Sequence, residues 1–134
     1  MGNTATALIG FGAWFVLLSV ALAIFRVALV LGGSKQANTF ATDGSDLGGL
    51  GQRLTRARDN CFETRPLFAA LAAGAHIAGR LNVTDPLAMW VLYFRIAQSL
   101  THITSTSVPA VQVRATLFFA QMFVYACWAI RLLA

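Results

Sequence analysis

Three side chains that could hold a charged ligand recur at helical spacing in the middle of the chain. Arg56, Asn60 and Glu63 stand at positions i, i+4 and i+7, which places a cation, an amide and a carboxylate on one face of a helix. One alternative is a solvated helix end, and for Arg53, Arg56 and Arg58 it is the simpler interpretation. Glu63 lies about 15 Å further along the helix than Arg53, so solvation explains it less well. We therefore expect a ligand site on this face.

A second polar stripe contains Arg95, Gln98 and His102, again on one helical face. Arg95 follows Asp85 by ten residues, which puts it near the middle of its helix. If that helix spans a membrane, an unpaired guanidinium at this depth costs several kcal/mol. We predict that it pairs with Glu63, and that truncating either residue costs about 3–5 kcal/mol. A purely architectural ion pair is the alternative. A lone histidine is more often a satisfied hydrogen-bonding residue than a functional one, but the other polar groups on this face make the two roles equally reasonable for His102.

A third stripe follows in the last apolar segment, where Arg114, Phe118, Gln121 and Tyr125 share one face. Three stripes at the same level predict a cationic pocket that opens to the cytoplasmic leaflet. Such a pocket suits a small polyanionic ligand beside a lipid-facing wall. Arg114 has an alternative role as an anchor, because arginines at helix ends commonly extend toward lipid head groups.

The composition indicates which elements position these stripes. Hydrophobic residues make up 57% of the 134 residues and charged residues only 11%, too few to coat a water-soluble globule. At about 20 residues per span, the sequence predicts an all-α integral membrane four-helix bundle, with a single domain at 1–134. The expected helices are 4–31, 53–81, 86–106, where Pro86 opens the helix, and 110–133.

Charge and cysteine usage exclude several other classes of protein. The net charge of +5 comes from scattered basic residues that flank or enter apolar runs, which does not indicate nucleic-acid binding. Cys61 and Cys127 both lie in apolar segments and form neither a disulfide framework nor a zinc pattern. Four spans place both termini on one side and the loop 34–52 on the other. That loop side collects five basic residues, against two near the other surface, so we expect it to be cytoplasmic.

The segment 53–68, RLTRARDNCFETRPLF, resembles the second-helix signature Arg-Ala-x-x-Asn-x-x-Glu of the membrane-associated proteins in eicosanoid and glutathione metabolism (the MAPEG family). The segment 95–102, RIAQSLTH, resembles that family's third-helix pattern Arg-x-x-His-x-x-x-Tyr. Arg114 resembles the arginine that opens its fourth helix. The resemblance covers nearly the whole chain and keeps the same helix order and long first loop.

This resemblance implies a homotrimer that binds glutathione at subunit interfaces near the cytoplasmic side, as a prokaryotic-type member in the bacterial inner membrane. Arg56, Asn60 and Glu63 would hold the charged and amide groups of glutathione. Arg95 would be a structural or ligand-facing partner of Glu63, and Gln98 and His102 would complete the binding site. Arg114 would stabilise the thiolate of glutathione held by helices 2 and 3 of a neighbouring subunit.

Two departures separate the chain from that pattern: Gln98 stands where the family usually has histidine, and His102 where it usually has tyrosine. About three extra residues precede Arg114. These differences argue against prostaglandin or leukotriene chemistry.

The favoured hypothesis is a glutathione-dependent transferase or peroxidase that acts on lipophilic electrophiles or lipid hydroperoxides drawn from the bilayer. The alternative is a non-catalytic lipid-binding or scaffolding protein of the same family. A transporter subunit is disfavoured, because no broken helix or inverted repeat is visible.

Overall fold

Four helices account for most of the chain, and the computed structural model describes all residues 1–134. They are α1 (Asn3–Leu31), α2 (Gly49–Ile77), α3 (Leu81–Thr104) and α4 (Val108–Leu133). The predicted all-α architecture of four helices is therefore confirmed. The largest shifts in helix limits are at the two ends of α2 and at the start of α3.

A tight turn explains where α2 ends and α3 begins. Gly79 adopts a positive φ of 65°, and this lets the backbone N–H of Arg80 donate to the carbonyl of Ala75 at 2.8 Å, a common way to end a helix. The chain reverses at once, so α3 starts at Leu81. The prediction that Pro86 opens this helix is wrong, because Pro86 lies inside it.

The central pair of the bundle is α2 and α3, which pack on each other, while α1 and α4 are not neighbouring helices. The backbone N–H of Thr4 in α1 donates to the Asp85 carboxylate near the start of α3 at 2.8 Å. The Arg80 guanidinium donates to the carbonyl of Leu132 near the end of α4 at 3.2 Å. Both termini therefore lie beside the α2–α3 turn, and the long loop lies at the other end with the α3–α4 turn, as predicted.

The interior of the bundle is aromatic, and its outside is apolar. The ring of Phe68, fully buried, has neighbours at centroid distances of 5.6 Å for Phe11, 6.2 Å for Tyr125 and 6.0 Å for Trp128. Large apolar side chains remain exposed along α1, α3 and α4. By length and composition α1 and α4 are apolar enough to cross a membrane, and of these two only α4 carries a polar stripe.

The long loop between α1 and α2 is held against α2. The carboxylate of Asp46 forms an ion pair with the Lys35 ammonium and accepts a hydrogen bond from the backbone N–H of Ala41 at 3.1 Å. These two interactions, the first above all, hold the pKa of Asp46 below its usual value. Gly44 has a φ of 71°, and a Cβ there would approach the Thr55 hydroxyl to 2.5 Å. The loop thus packs closely on the helix that carries the first polar stripe.

Candidate functional site

The three predicted polar stripes meet in one cleft between α2, α3 and α4. The cleft consists of two adjoining hollows of about 410 Å³ and 470 Å³, both within the range of roughly 300–1,000 Å³ usual for small-molecule sites. The hollows share four residues: Arg56, Asn60, Glu63 and His102. Five of the predicted binding residues and Arg114 line this cleft, and Arg95 lies directly behind it.

The two hollows differ in character. The first, which we name the polar hollow, has only polar or charged walls and includes Asp43, Gln52 and Asp59. The second, the mixed hollow, adds Gln98 and Arg114 to the shared residues, together with an apolar wall of Val111, Ala115, Phe118 and Phe119. Phe119 is 69% exposed, so the apolar wall continues onto the lipid-facing surface of α4. A polar compartment therefore adjoins one that is accessible to lipophilic molecules.

The charges in the cleft are mixed rather than cationic. Arg56 faces the carboxylates of Asp43, Asp59 and Glu63 in the polar hollow, whereas two guanidinium groups, Arg56 and Arg114, face one carboxylate in the mixed hollow. The prediction of a cationic pocket for a polyanion is wrong in this respect. The cleft is acidic at the end near the long loop and basic at the end near α4. Such an arrangement suits a zwitterionic ligand.

Arg95 is not the partner of Glu63. Its side chain is fully buried, and its Nη1 donates to the side-chain oxygen of Asn60 at 2.5 Å, while its guanidinium lies 5.6 Å from the centre of the Phe11 ring. The only ion pairs in the chain join Lys35 to Asp46 and Arg58 to Asp59. The predicted Glu63–Arg95 ion pair is therefore wrong within the subunit. Glu63 lies one helical turn beyond Asn60 and is exposed to the cleft.

Gln98 lies deeper than the other predicted binding residues. It is 2% exposed, and both ends of its amide are bonded within the protein. The Nε2 of Gln98 donates to Asn60 Oδ1 at 3.1 Å, and its Oε1 accepts from Gln121 Nε2 at 2.9 Å. Gln121 is itself fully buried. The polar stripes of α2, α3 and α4 are thus linked by side-chain amides below the surface of the cleft.

Arg114 and His102 form the basic end of the cleft. The Nη1 of Arg114 lies 3.1 Å from His102 Nδ1, and because a guanidinium can only donate, Nδ1 must accept. His102 therefore carries its proton on Nε2, and this N–H is available as a donor. Since Arg114 lines the same hollow as Arg56, one chain already brings α4 to the α2–α3 site. The expected neighbouring subunit is not needed for that approach.

The sequence reasoning did not identify three acidic or amide residues of the polar hollow. Gln52 stands four residues before Arg56, so the periodicity of the stripe would have found it. Asp59 forms an ion pair with its neighbour Arg58 and has no periodic signal. Asp43 comes from the long loop, where no helical spacing applies. Its pKa is lowered, mainly by a hydrogen bond from the backbone N–H of Ser45, which favours the charged carboxylate.

A separate groove of about 510 Å³ runs along the second half of α1 beneath the long loop. Its lining is mostly apolar, including Leu22, Val27 and Phe40, with Arg26 and Arg58 among its few polar residues. It contains none of the predicted site residues. We therefore assign the polar chemistry to the cleft and not to this groove.

Comparison with models of protein families gives a match over residues 4–134, to the model described as the MAPEG family. No curated protein matches the chain, and no solved structure does. The match includes all four helices and every residue of the cleft.

Proposed function

The chain belongs to the MAPEG family, membrane proteins of eicosanoid and glutathione metabolism, and we propose that it is a glutathione-dependent transferase or peroxidase acting on lipophilic substrates. The observation that carries this proposal is the pair of adjoining hollows, one entirely polar and one with an apolar wall that reaches the lipid-facing side of α4. A peptide thiol and a lipophilic electrophile could meet where the hollows join. Homotrimeric assembly in the bacterial inner membrane, with the long loop cytoplasmic, is part of the proposal.

The charge distribution supports glutathione as the thiol. Glutathione has one ammonium group and two carboxylates. Its ammonium group would lie toward Asp43, Asp59 and Glu63, which line the polar hollow. Its carboxylates and its sulfur would lie toward Arg56 and Arg114. Mixed charges of this kind give orientation as well as affinity, since a reversed ligand would place like charges together.

In this mechanism Arg114 stabilises the negative charge of the thiolate. A cation beside a thiol lowers the thiol pKa and increases the thiolate fraction at neutral pH. The hydrogen bond to His102 at 3.1 Å fixes one end of the guanidinium and leaves its other N–H groups free to approach sulfur. The Nε2–H of His102 can donate to the bound peptide. Positioning and electrostatic stabilisation are then the two contributions of the protein to the reaction.

Both proposed reactions begin from the thiolate. In the transferase reaction, sulfur forms a bond to the electrophilic carbon, and a leaving group such as halide departs with the electron pair. In the peroxidase reaction, sulfur attacks the hydroperoxide O–O bond and releases the lipid alcohol, whose oxygen takes a proton. A second glutathione then converts the sulfenic acid to glutathione disulfide and water. Two thiols are oxidised for each hydroperoxide reduced.

The test is glutathione binding by calorimetry on the detergent-purified protein, followed by turnover with an aromatic halide and with a lipid hydroperoxide. We expect Arg114→Ala to reduce turnover by about 10²-fold, as for loss of one electrostatic stabiliser. Arg131→Ala, at the other, exposed end of α4, is the matched control and should be silent. A protein that binds no glutathione and turns over neither substrate would instead have the scaffolding or lipid-binding role.

A further inference from the structure

A relay of side-chain amides crosses the bundle beneath the cleft. It runs from Gln121 on α4 to Gln98 on α3 and then to Asn60 on α2, through hydrogen bonds of 2.9 Å and 3.1 Å. Gln98 and Gln121 are almost completely buried. Gln98 borders the mixed hollow but is only 2% exposed, whereas Asn60 is only partly buried and lines both hollows. The relay therefore ends at the ligand-facing surface.

The direction of every hydrogen bond in this relay follows from Arg95 at one end. A guanidinium has donors and no acceptor, so the Asn60 atom that faces Arg95 Nη1 must be the oxygen, Oδ1. Gln98 approaches the same oxygen and must therefore present its NH₂ group. The oxygen of Gln98 consequently faces Gln121, which must also donate. The Leu117 carbonyl accepts from the same Gln121 Nε2 at 2.9 Å, so Arg95 at one end and Leu117 at the other agree on the orientation of the three amides.

The consequence for the cleft concerns the Asn60 NH₂ group. The oxygen of Asn60 accepts from both Arg95 and Gln98, which occupies its two lone pairs. Its Nδ2 makes no hydrogen bond within the chain and does not belong to the buried polar atoms that lack a partner. Two N–H donors are therefore held in fixed orientation at the cleft surface.

We infer that Arg95, Gln98 and Gln121 are positioning residues that hold the Asn60 amide as a hydrogen-bond donor, so that this point of the site takes an acceptor of the ligand, a carboxylate or an amide carbonyl. This inference rests on the proposed function for the identity of the ligand, glutathione. It changes the role of Gln98 and Arg95 from ligand contacts to residues that act through Asn60. It also predicts that a ligand with a donor at this point is rejected.

Two substitutions at Gln98 separate positioning from direct contact. Gln98→Met removes its hydrogen bonds but leaves Arg95 holding Asn60, so glutathione affinity should change by less than about threefold. In Gln98→Glu the new carboxylate pairs with Arg95 and so replaces the Asn60 oxygen as its acceptor. The same carboxylate is an acceptor beside Asn60, so the Asn60 amide reverses and turns its oxygen to the cleft. Glutathione affinity should then fall by about tenfold or more, the effect of losing a hydrogen bond to a charged group. Equal losses in both variants would overturn the inference, because they would indicate direct contact by Gln98.

Asn60→Asp is the companion variant at the ligand-facing end. The new carboxylate still accepts from Arg95 and Gln98, so the melting temperature should be unchanged or raised, but the donor is lost and affinity should fall by about tenfold or more. Gln112→Glu, an exposed site in the first turns of α4, controls for an added negative charge. Wild-type affinity in Asn60→Asp would overturn the inference.

A ligand-free measurement separates failure of the relay from failure of the proposed function. Side-chain amides can be followed by nitrogen-15 NMR, because the chain has only four asparagines and five glutamines. The NH₂ protons of Gln98 and Gln121 should exchange slowly and those of Asn60 rapidly, and in Gln98→Glu the Asn60 protons should become protected. Rapid exchange at Gln98, or protection of Asn60 in the wild type, would overturn the relay. Absence of glutathione binding with this exchange pattern intact would remove the proposed function and leave the relay standing.

Discussion

Replacing Arg95 by methionine should leave the stability of the bundle almost unchanged. Arg95 is fully buried, yet its charge has no carboxylate partner, and its Nε and Nη2 make no hydrogen bond. The structure thus removes the basis for the sequence prediction of about 3–5 kcal/mol, which assumed a buried ion pair. The substitution is informative because methionine fills a similar volume without charge.

The magnitude follows from the contacts of the side chain. The hydrogen bond to Asn60 contributes about 1.5–3 kcal/mol, and the contact with Phe11 contributes up to about 2 kcal/mol when desolvated. Burial of the guanidinium costs several kcal/mol, which offsets both contributions. Methionine retains the packing, and Gln98 still donates to Asn60. The expected change in the free energy of unfolding is therefore within about 1 kcal/mol of zero.

The assay is reversible unfolding in mixed detergent, followed by fluorescence of the three tryptophans. Arg131→Met replaces an exposed arginine and provides the baseline for charge removal, expected within about 0.5 kcal/mol. A loss of about 3 kcal/mol or more in Arg95→Met would refute the reasoning, because it would mean that the cost of burying the guanidinium does not offset its contacts.

Three further predictions concern the loop and the assembly. Gly44→Ala should destabilise the loop more than Gly33→Ala: both glycines have positive φ, but only a Cβ at Gly44 meets Thr55, and hydrogen exchange in the loop measures the difference. Because the pKa of Asp46 is lowered, its contribution to loop stability should be complete above its ordinary pKa of about 4 and lost as pH falls through the lower folded value. The chemical shift of the Ala41 amide proton should follow this titration. In Asp46→Asn that shift should not change with pH over the same range. Chemical crosslinking in mild detergent should trap species of up to three chains, and a strictly monomeric mass would contradict the proposed trimer.

Helical periodicity was enough to predict the fold and much of the cleft. Arg56, Asn60 and Glu63 share one face because 3.6 residues per turn fixes their directions, and the structure places all three on the cleft. Periodicity gives a direction but not a partner. Glu63 and Arg95 were predicted at the same depth, yet Arg95 donates to Asn60 and forms no ion pair with Glu63.

Other features depend on tertiary contacts that no local pattern encodes. Asp43 reaches the polar hollow only because the long loop folds back on α2. The start of α3 was misplaced because Pro86 is a strong sequence signal, whereas the stop at Gly79 depends on its backbone conformation. Gln98 was predicted to bind the ligand, but its burial and its bond to Gln121 could not be read from one helix.

The most direct test of the central claim is the pKa of the glutathione thiol when it is bound in the cleft. Thiolate absorbance in the ultraviolet, titrated against pH with glutathione at saturation, measures this pKa in the wild type and in Arg114→Ala. The proposed function predicts a bound thiol pKa well below the ordinary value of about 8.5, and a clear rise toward that value in the variant, with glutathione still bound. A wild-type thiol that titrates at its ordinary value, with an overlapping curve for Arg114→Ala, would contradict thiolate activation by this cleft.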